Sequence, residues 1–90
     1  MERIEEQVVV KKVHGLHARP ATIFVQLANK FNSSVKIESD GEIVDGKSIM
    51  ALLSLGIHAG IEVKLITEGD DAKEAIDDLK KFLEDEDKND

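Results

Sequence analysis

Between Ile4 and Val10 the positions Ile4, Glu6, Val8 and Val10 share one face of an extended segment, and β-branched residues fill its second half, predicting a first strand. The period then lengthens. Ala21, Phe24, Val25, Ala28 and Phe31 recur at helical spacing, predicting a helix from about Ala18 to Lys30 with its apolar stripe on a core. Ile23 lies off that stripe, on the helix flank, where it is available to a partner. Val35 and Ile37 alternate with Ser34, Lys36 and Glu38 as a second strand, Asp40-Gly41 is a two-residue hairpin signal, and Ile43-Val44 begins the return strand.

Ser48 stands as the N-cap of a second helix that Gly56 stops, a helix of about two turns with an apolar body on nearly every side. Such a body is either deeply buried, the reading slightly favoured here, or in part a docking surface with Met50 as its adaptable member. Ile61, Val63, Leu65 and Thr67 alternate with Glu62, Lys64, Ile66 and Glu68 as a fourth strand, so the sheet should have one wet face. Asp71-Ala72-Lys73-Glu74 has capping-box spacing, and Ala72, Ala75, Ile76, Leu79, Phe82 and Leu83 follow at three- and four-residue steps. The expected fold is therefore α+β, an open-faced sandwich in the order βαββαβα, with a four-stranded antiparallel sheet covered on one face by three helices. Residues 1–83 are expected to form this single domain and residues 84–90 an acidic, frayed tail.

Composition narrows the function classes. The chain has 90 residues, no Cys, no Trp and no Tyr, and a net charge of −7. Disulfides, thiolate metal sites and Cys nucleophiles are excluded, and nothing supports nucleic-acid binding or base stacking. Acids at Glu2, Glu5 and Glu6 stand where a secretory signal would be basic and then apolar, and no segment approaches membrane-spanning length, so a cytoplasmic protein without membrane insertion is expected. Charge is unevenly spread: from Lys11 to Ile37 there is no acid, while Lys11, Lys12, Arg19, Lys30 and Lys36 give a formal +5. A locally basic neighbourhood on an acidic chain suits an acidic partner surface or phosphate, although solvated lysines cluster by chance as well.

Candidate chemistry lies inside that stretch, in His14-Gly15-Leu16-His17-Ala18-Arg19-Pro20-Ala21. Gly15 gives the backbone room to turn, and Pro20 fits only the first turn of a helix, so His17 sits at or next to the N-cap. The amides of Ala18 and Arg19 and the helix macrodipole favour an anion there. The same positive end opposes imidazolium and leaves the ring a nucleophile, which suits a transient phosphohistidine steadied by Arg19. The bland alternative is that His17 merely caps a helix and Arg19 is a solvated charge. Ser48 likewise reads as an ordinary N-cap hydroxyl or, beside Lys47, as an acceptor of regulatory phosphate.

These residues resemble a known family, the histidine-containing phosphocarrier HPr of the bacterial sugar phosphotransferase system. Gly15-Leu16-His17-Ala18-Arg19-Pro20-Ala21 is similar to the family's active-site signature, and Lys47-Ser48-Ile49-Met50 with Ser54-Leu55-Gly56 to its regulatory segment. The resemblance spans about Val8 to Leu83. It implies that His17 carries phosphate on Nδ1, received from phosphorylated enzyme I and passed to enzyme IIA components of sugar permeases. Arg19 would assist transfer, with the backbone of Ala18 and Arg19 binding phosphate. It further implies that Ser48 is phosphorylated by HPr kinase/phosphorylase in catabolite control, with a catabolite-control transcription factor as a further partner. Ile23, Lys47, Ile49, Met50 and Leu53 would contribute to docking. No metal or cofactor is called for, the chain is not an enzyme in its own right, and a monomer is expected.

His14 departs from the family, which often has a small polar residue there; a nearby imidazole would make phosphate stability more pH-dependent. His58 has no assigned role, and a metal site of His14, His17 and His58 would need a spatial coincidence. Two other readings stand beside the carrier. One is a regulatory module like the family's catabolite-repression homologue, which signals through the serine and lacks the active histidine; the presence of His17 speaks against it. The other is a small enzyme such as an acylphosphatase, for which the sequence offers no phosphate-binding loop.

Overall fold

The computed structural model describes residues 2–12 and 14–86. Its elements follow the expected order: β1 (Glu2–Val9), α1 (Ala18–Ala28), β2 (Ser34–Ser39), β3 (Glu42–Asp45), α2 (Ile49–Ser54), β4 (Glu62–Gly69) and α3 (Ala72–Glu84). The strands form one antiparallel sheet in the order β1-β4-β2-β3, which places the chain's first and last strands side by side. Asp40 and Gly41, with φ of 53° and 82°, turn β2 into β3 as the two-residue signal requires.

Pleating sends Val8, Val35, Ile37, Val63 and Leu65 to one face, where they are buried with Phe24 of α1, Leu52 of α2, and Ile76, Leu79 and Leu83 of α3. Thr67 occupies the same face of β4; its buried hydroxyl donates to the Ala72 carbonyl at 2.9 Å, so the core holds no unmet hydroxyl there. The other face is largely polar, although Ile66 is buried on it: Lys64 lies 3.5 Å from Glu5 and 3.8 Å from Glu38 on the flanking strands. Pairing of β1 ends at Val9, one residue earlier than expected, but Val10 stays buried and exchanges backbone hydrogen bonds with Ile61 and Gly60.

Three local expectations need correction. α1 stops at Ala28 rather than Lys30, because Lys30 and Phe31 take tighter bonds to the carbonyls of Leu27 and Ala28. α2 has six residues, of which only Leu52 is buried; so short a helix presents a single inward position, and burial of its whole apolar body does not occur. Asp71 is the N-cap of α3 but forms no capping box: its carboxylate turns away to accept from the N–H groups of Asn32 and Ser33, each at 2.9 Å, and from the Ser33 hydroxyl. Of the expected acidic tail, Glu84 is the last residue of α3 and Asp85 its C-cap, and residues 87–90 lie outside the described residues. Among the described residues no helix is long and apolar enough to cross a membrane.

Candidate phosphoryl-transfer site

His17 is the N-cap of α1, in extended conformation with φ −81° and ψ −171°. Its carbonyl accepts the first helical bond, from Ala21 N–H at 2.9 Å, while its ring makes no side-chain cap bond. The imidazole is thus placed by the backbone of the helix end but is not consumed in capping it. The first turn holds no acid, so the positive helix end keeps its attraction for an anion, with Ala18 and Arg19 supplying first-turn amides and Pro20 buried behind them. The Arg19 residue is exposed, and His17 is half-buried with its Nε2 fully enclosed.

The turn before His17 is seated on a segment remote in sequence. Gly15 has φ +70°, its N–H donates to the Lys12 carbonyl at 2.9 Å, and Leu16 N–H donates to the Ile57 carbonyl at 3.1 Å. A Cβ at Gly15 would collide with the Ile57 carbonyl oxygen and lie 2.8 Å from His58 Cα. The residue without an assigned role, His58, thus contributes its backbone to the floor under the His17 turn, and it lines a cleft with Ser39, Asp40, Leu55, Ile61 and Glu62. Nothing in the local sequence around Gly15 signals that contact. His14 is exposed beside His17, their ring centroids 5.8 Å apart. Among the described residues no group of three or more His, Asp or Glu is placed to hold a metal ion.

Ser48 is the N-cap of α2, its hydroxyl oxygen accepting from Ala51 N–H at 3.2 Å. Lys47 reaches the far end of α1 instead of projecting outward, its Nζ donating to the Phe31 carbonyl at 2.8 Å. The apolar candidates do project: Ile23 on α1 and Ile49, Met50 and Leu53 on α2 are exposed, Met50 at 78%. These two helices pack against each other. The basic stretch is less coherent than its sequence suggests. Lys12 is buried, its Nζ 4.0 Å from the Phe82 ring centroid, and Lys36 lies on the polar face of the sheet.

The chain matches the family described as PTS HPr component phosphorylation site over residues 4–85. It is 53% identical over 83 residues to the HPr-like protein Crh of Halalkalibacterium halodurans, covering 92% of this chain and 99% of that one. It is 37% identical over 81 residues to the phosphocarrier protein HPr of Borreliella burgdorferi, covering 90% and 94%. Among solved structures, HPr from Bacillus anthracis superposes with a TM-score of 0.89 at 43% identity, over 91% of this chain and 98% of that one.

The expectation of a monomer is overturned by other relatives. Crh of Bacillus subtilis, 46% identical over 89% of this chain and 92% of that one with a TM-score of 0.74, forms a swapped dimer. HPr of Thermoanaerobacter tengcongensis, 53% identical over 78% and 80% with a TM-score of 0.72, has been solved as a dimer. The physical reason is that the contacts an element makes within its own chain are equally satisfied by the same element of a second copy, so a sequence that encodes the fold does not by itself forbid exchange.

Proposed function

The chain belongs to the HPr family, and from that premise we propose that it is a phosphocarrier, its His17 accepting a phosphoryl group from phosphorylated enzyme I and passing it to enzyme IIA components for sugar uptake. The observation that carries this reading is the state of His17: fixed at the N-terminus of α1, spared from capping, with Nε2 enclosed. The Nδ1 lone pair attacks phosphorus as the bond to the donor breaks. The new phosphoryl charge then meets the first-turn amides of Ala18 and Arg19 and the Arg19 guanidinium. The next acceptor takes the phosphoryl group by the reverse of this step, and His17 is regenerated. A few contacts at an open helix end hold the group without trapping it, as a carrier between two enzymes in the cytoplasm requires. Ile23, Ile49, Met50 and Leu53 supply the apolar part of the docking face, and Lys47 its flank.

The relatives named Crh support a second, regulatory reading centred on Ser48. Phosphate there would add about −1.5 to −2 charges beside exposed Ile49 and Met50, impeding transfer from enzyme I by repulsion and desolvation. HPr kinase/phosphorylase would install it, and a catabolite-control transcription factor would read it. One experiment tests the primary reading. The protein and His17→Ala are incubated with phosphoenolpyruvate and enzyme I, then compared by intact mass and acid lability. One acid-labile phosphate, absent from the variant, is expected; no labelling under conditions that label a known carrier would remove the carrier reading and leave the regulatory one.

A further inference from the structure

The turn that presents His17 also presents a second imidazole that the transfer step above does not use. His14 is exposed, its ring centroid 5.8 Å from that of His17 and the ring planes inclined by 63°. Its backbone is held from both sides. Gly15 N–H is bonded back to Lys12, Leu16 N–H is bonded across to Ile57, and Gly15 leaves no gap above Ile57 and His58. A side chain anchored this closely to the acceptor ring is within reach of whatever group that ring carries.

Resting on the reading of His17 as the phosphoryl acceptor, we propose that His14 is a phosphoryl-binding residue which, in its protonated form, hydrogen-bonds the phosphoryl group carried on His17. Phosphorylation places up to two negative charges beside the His14 ring, and an imidazolium answers them with a charge-assisted N–H bond that neutral imidazole cannot match. No covalent step involves His14. The P–N bond forms and breaks at His17, while His14 takes up a proton from solvent when the group arrives and returns it when the group leaves. Two charges at about 6 Å across water change the proton affinity of a neighbour by about tenfold. By linkage the phosphoryl group is held more firmly by the same factor when His14 is protonated.

Among the described residues, the other charged and titratable side chains on the adjoining segments are Lys11 and Lys12 before the turn, Arg19 after it, His58 on the loop beneath Gly15, and Glu84, Asp85 and Glu86 at the end of α3. That end adjoins the turn because Lys11 N–H donates to the Leu83 carbonyl at 2.8 Å. Lys12 is directed over Phe82, and His58 lines its own cleft with Asp40 and Glu62. His58 serves as the internal reference, since it is an imidazole outside the transfer turn.

The test follows the imidazole NMR signals of the full chain against pH, with and without a phosphoryl group on His17. The group is introduced from phosphoenolpyruvate and enzyme I or chemically from phosphoramidate, which releases ammonia as the new P–N bond forms. The His14 midpoint is expected to rise by about one pH unit on phosphorylation while that of His58 stays. The phosphoryl half-life is expected to exceed that of the His14→Asn protein below the His14 midpoint and to equal it above. An unmoved His14 midpoint on protein phosphorylated at His17, or half-life profiles that coincide in the two proteins, overturns the proposal and leaves the carrier reading standing. Failure of His17 to accept phosphate from either donor overturns both.

Discussion

The two ends of α1 are fixed by different parts of the chain. At its N-terminal end the main chain does the fixing: the Gly15 and Leu16 amides bond to the carbonyls of Lys12 and Ile57, and the bare Gly15 backbone lies on His58. At its C-terminal end side chains do it. Asp71 accepts from Asn32 and Ser33, Lys47 donates to the Phe31 carbonyl, and Asn29 Nδ2 donates to the Val25 carbonyl at 2.9 Å. The first turn is thus anchored through main-chain bonds to a remote segment, whereas the last is anchored through a carboxylate, an ammonium and a side-chain amide. The candidate site and the side-chain anchors thereby lie at opposite ends of one helix.

The comparison is broken most severely by His17→Ala. Phosphoryl transfer should be abolished in the enzyme I assay while the melting temperature falls by under about 3 °C, because the ring contributes no cap bond whose loss would cost stability. A large loss of stability instead would mean that the reactive end is held by this side chain after all. Gly15→Ala strikes the main-chain anchor. Positive φ combined with a collision against backbone should cost about 2–4 kcal/mol in urea unfolding, and transfer by the fraction that stays folded should fall as well.

Met50→Asp tests the exposed surface between these extremes. At 78% exposure its removal should leave stability within about 0.5 kcal/mol, while KM for enzyme I rises by roughly tenfold, read from steady-state transfer. An unchanged KM would place docking elsewhere. Asp71→Asn sharpens the comparison from the other end: transfer should stay within about twofold, as no catalytic group is touched, and only unfolding should respond. Hydrogen bonds from the Ser33 hydroxyl and the Asn32 amide hold the Asp71 carboxyl below the usual carboxylate range. The stability it contributes is therefore complete above the unfolded value, about pH 4, and is lost as pH falls through the lower folded value. The variant should show a shallower acid limb in melting temperature against pH; parallel limbs would show that the carboxylate is not what fastens this end.

Much of the fold was legible because each element announces itself over a few neighbouring residues. The two-residue period of Val63, Leu65 and Thr67, the three-and-four spacing of Ala21, Phe24, Val25 and Ala28, and the Asp40-Gly41 turn require no knowledge of distant contacts. His17 at a helix start was legible for the same reason, since Pro20 and Gly15 bracket it locally. Lys12 and Asp71 were misjudged from one cause. Each is a charged residue whose sequence neighbours suggest solvent or a local cap, and each is instead directed to a group brought near by folding: the Phe82 ring and the Asn32-Ser33 backbone.

The sequence by itself determined the order of elements, the βαββαβα class and the place of His17 at the start of α1, since periodicity and turn chemistry act within a few residues. Only the tertiary structure decided that α2 shows its apolar residues to solvent, that Gly15 is required by the backbone of Ile57 and His58, and that His14 stands edge-on to His17. Such facts depend on the distance between segments remote along the chain, or on the rotation of a short helix about its axis. Those quantities are set by packing of the whole core, and no local pattern of residues contains them.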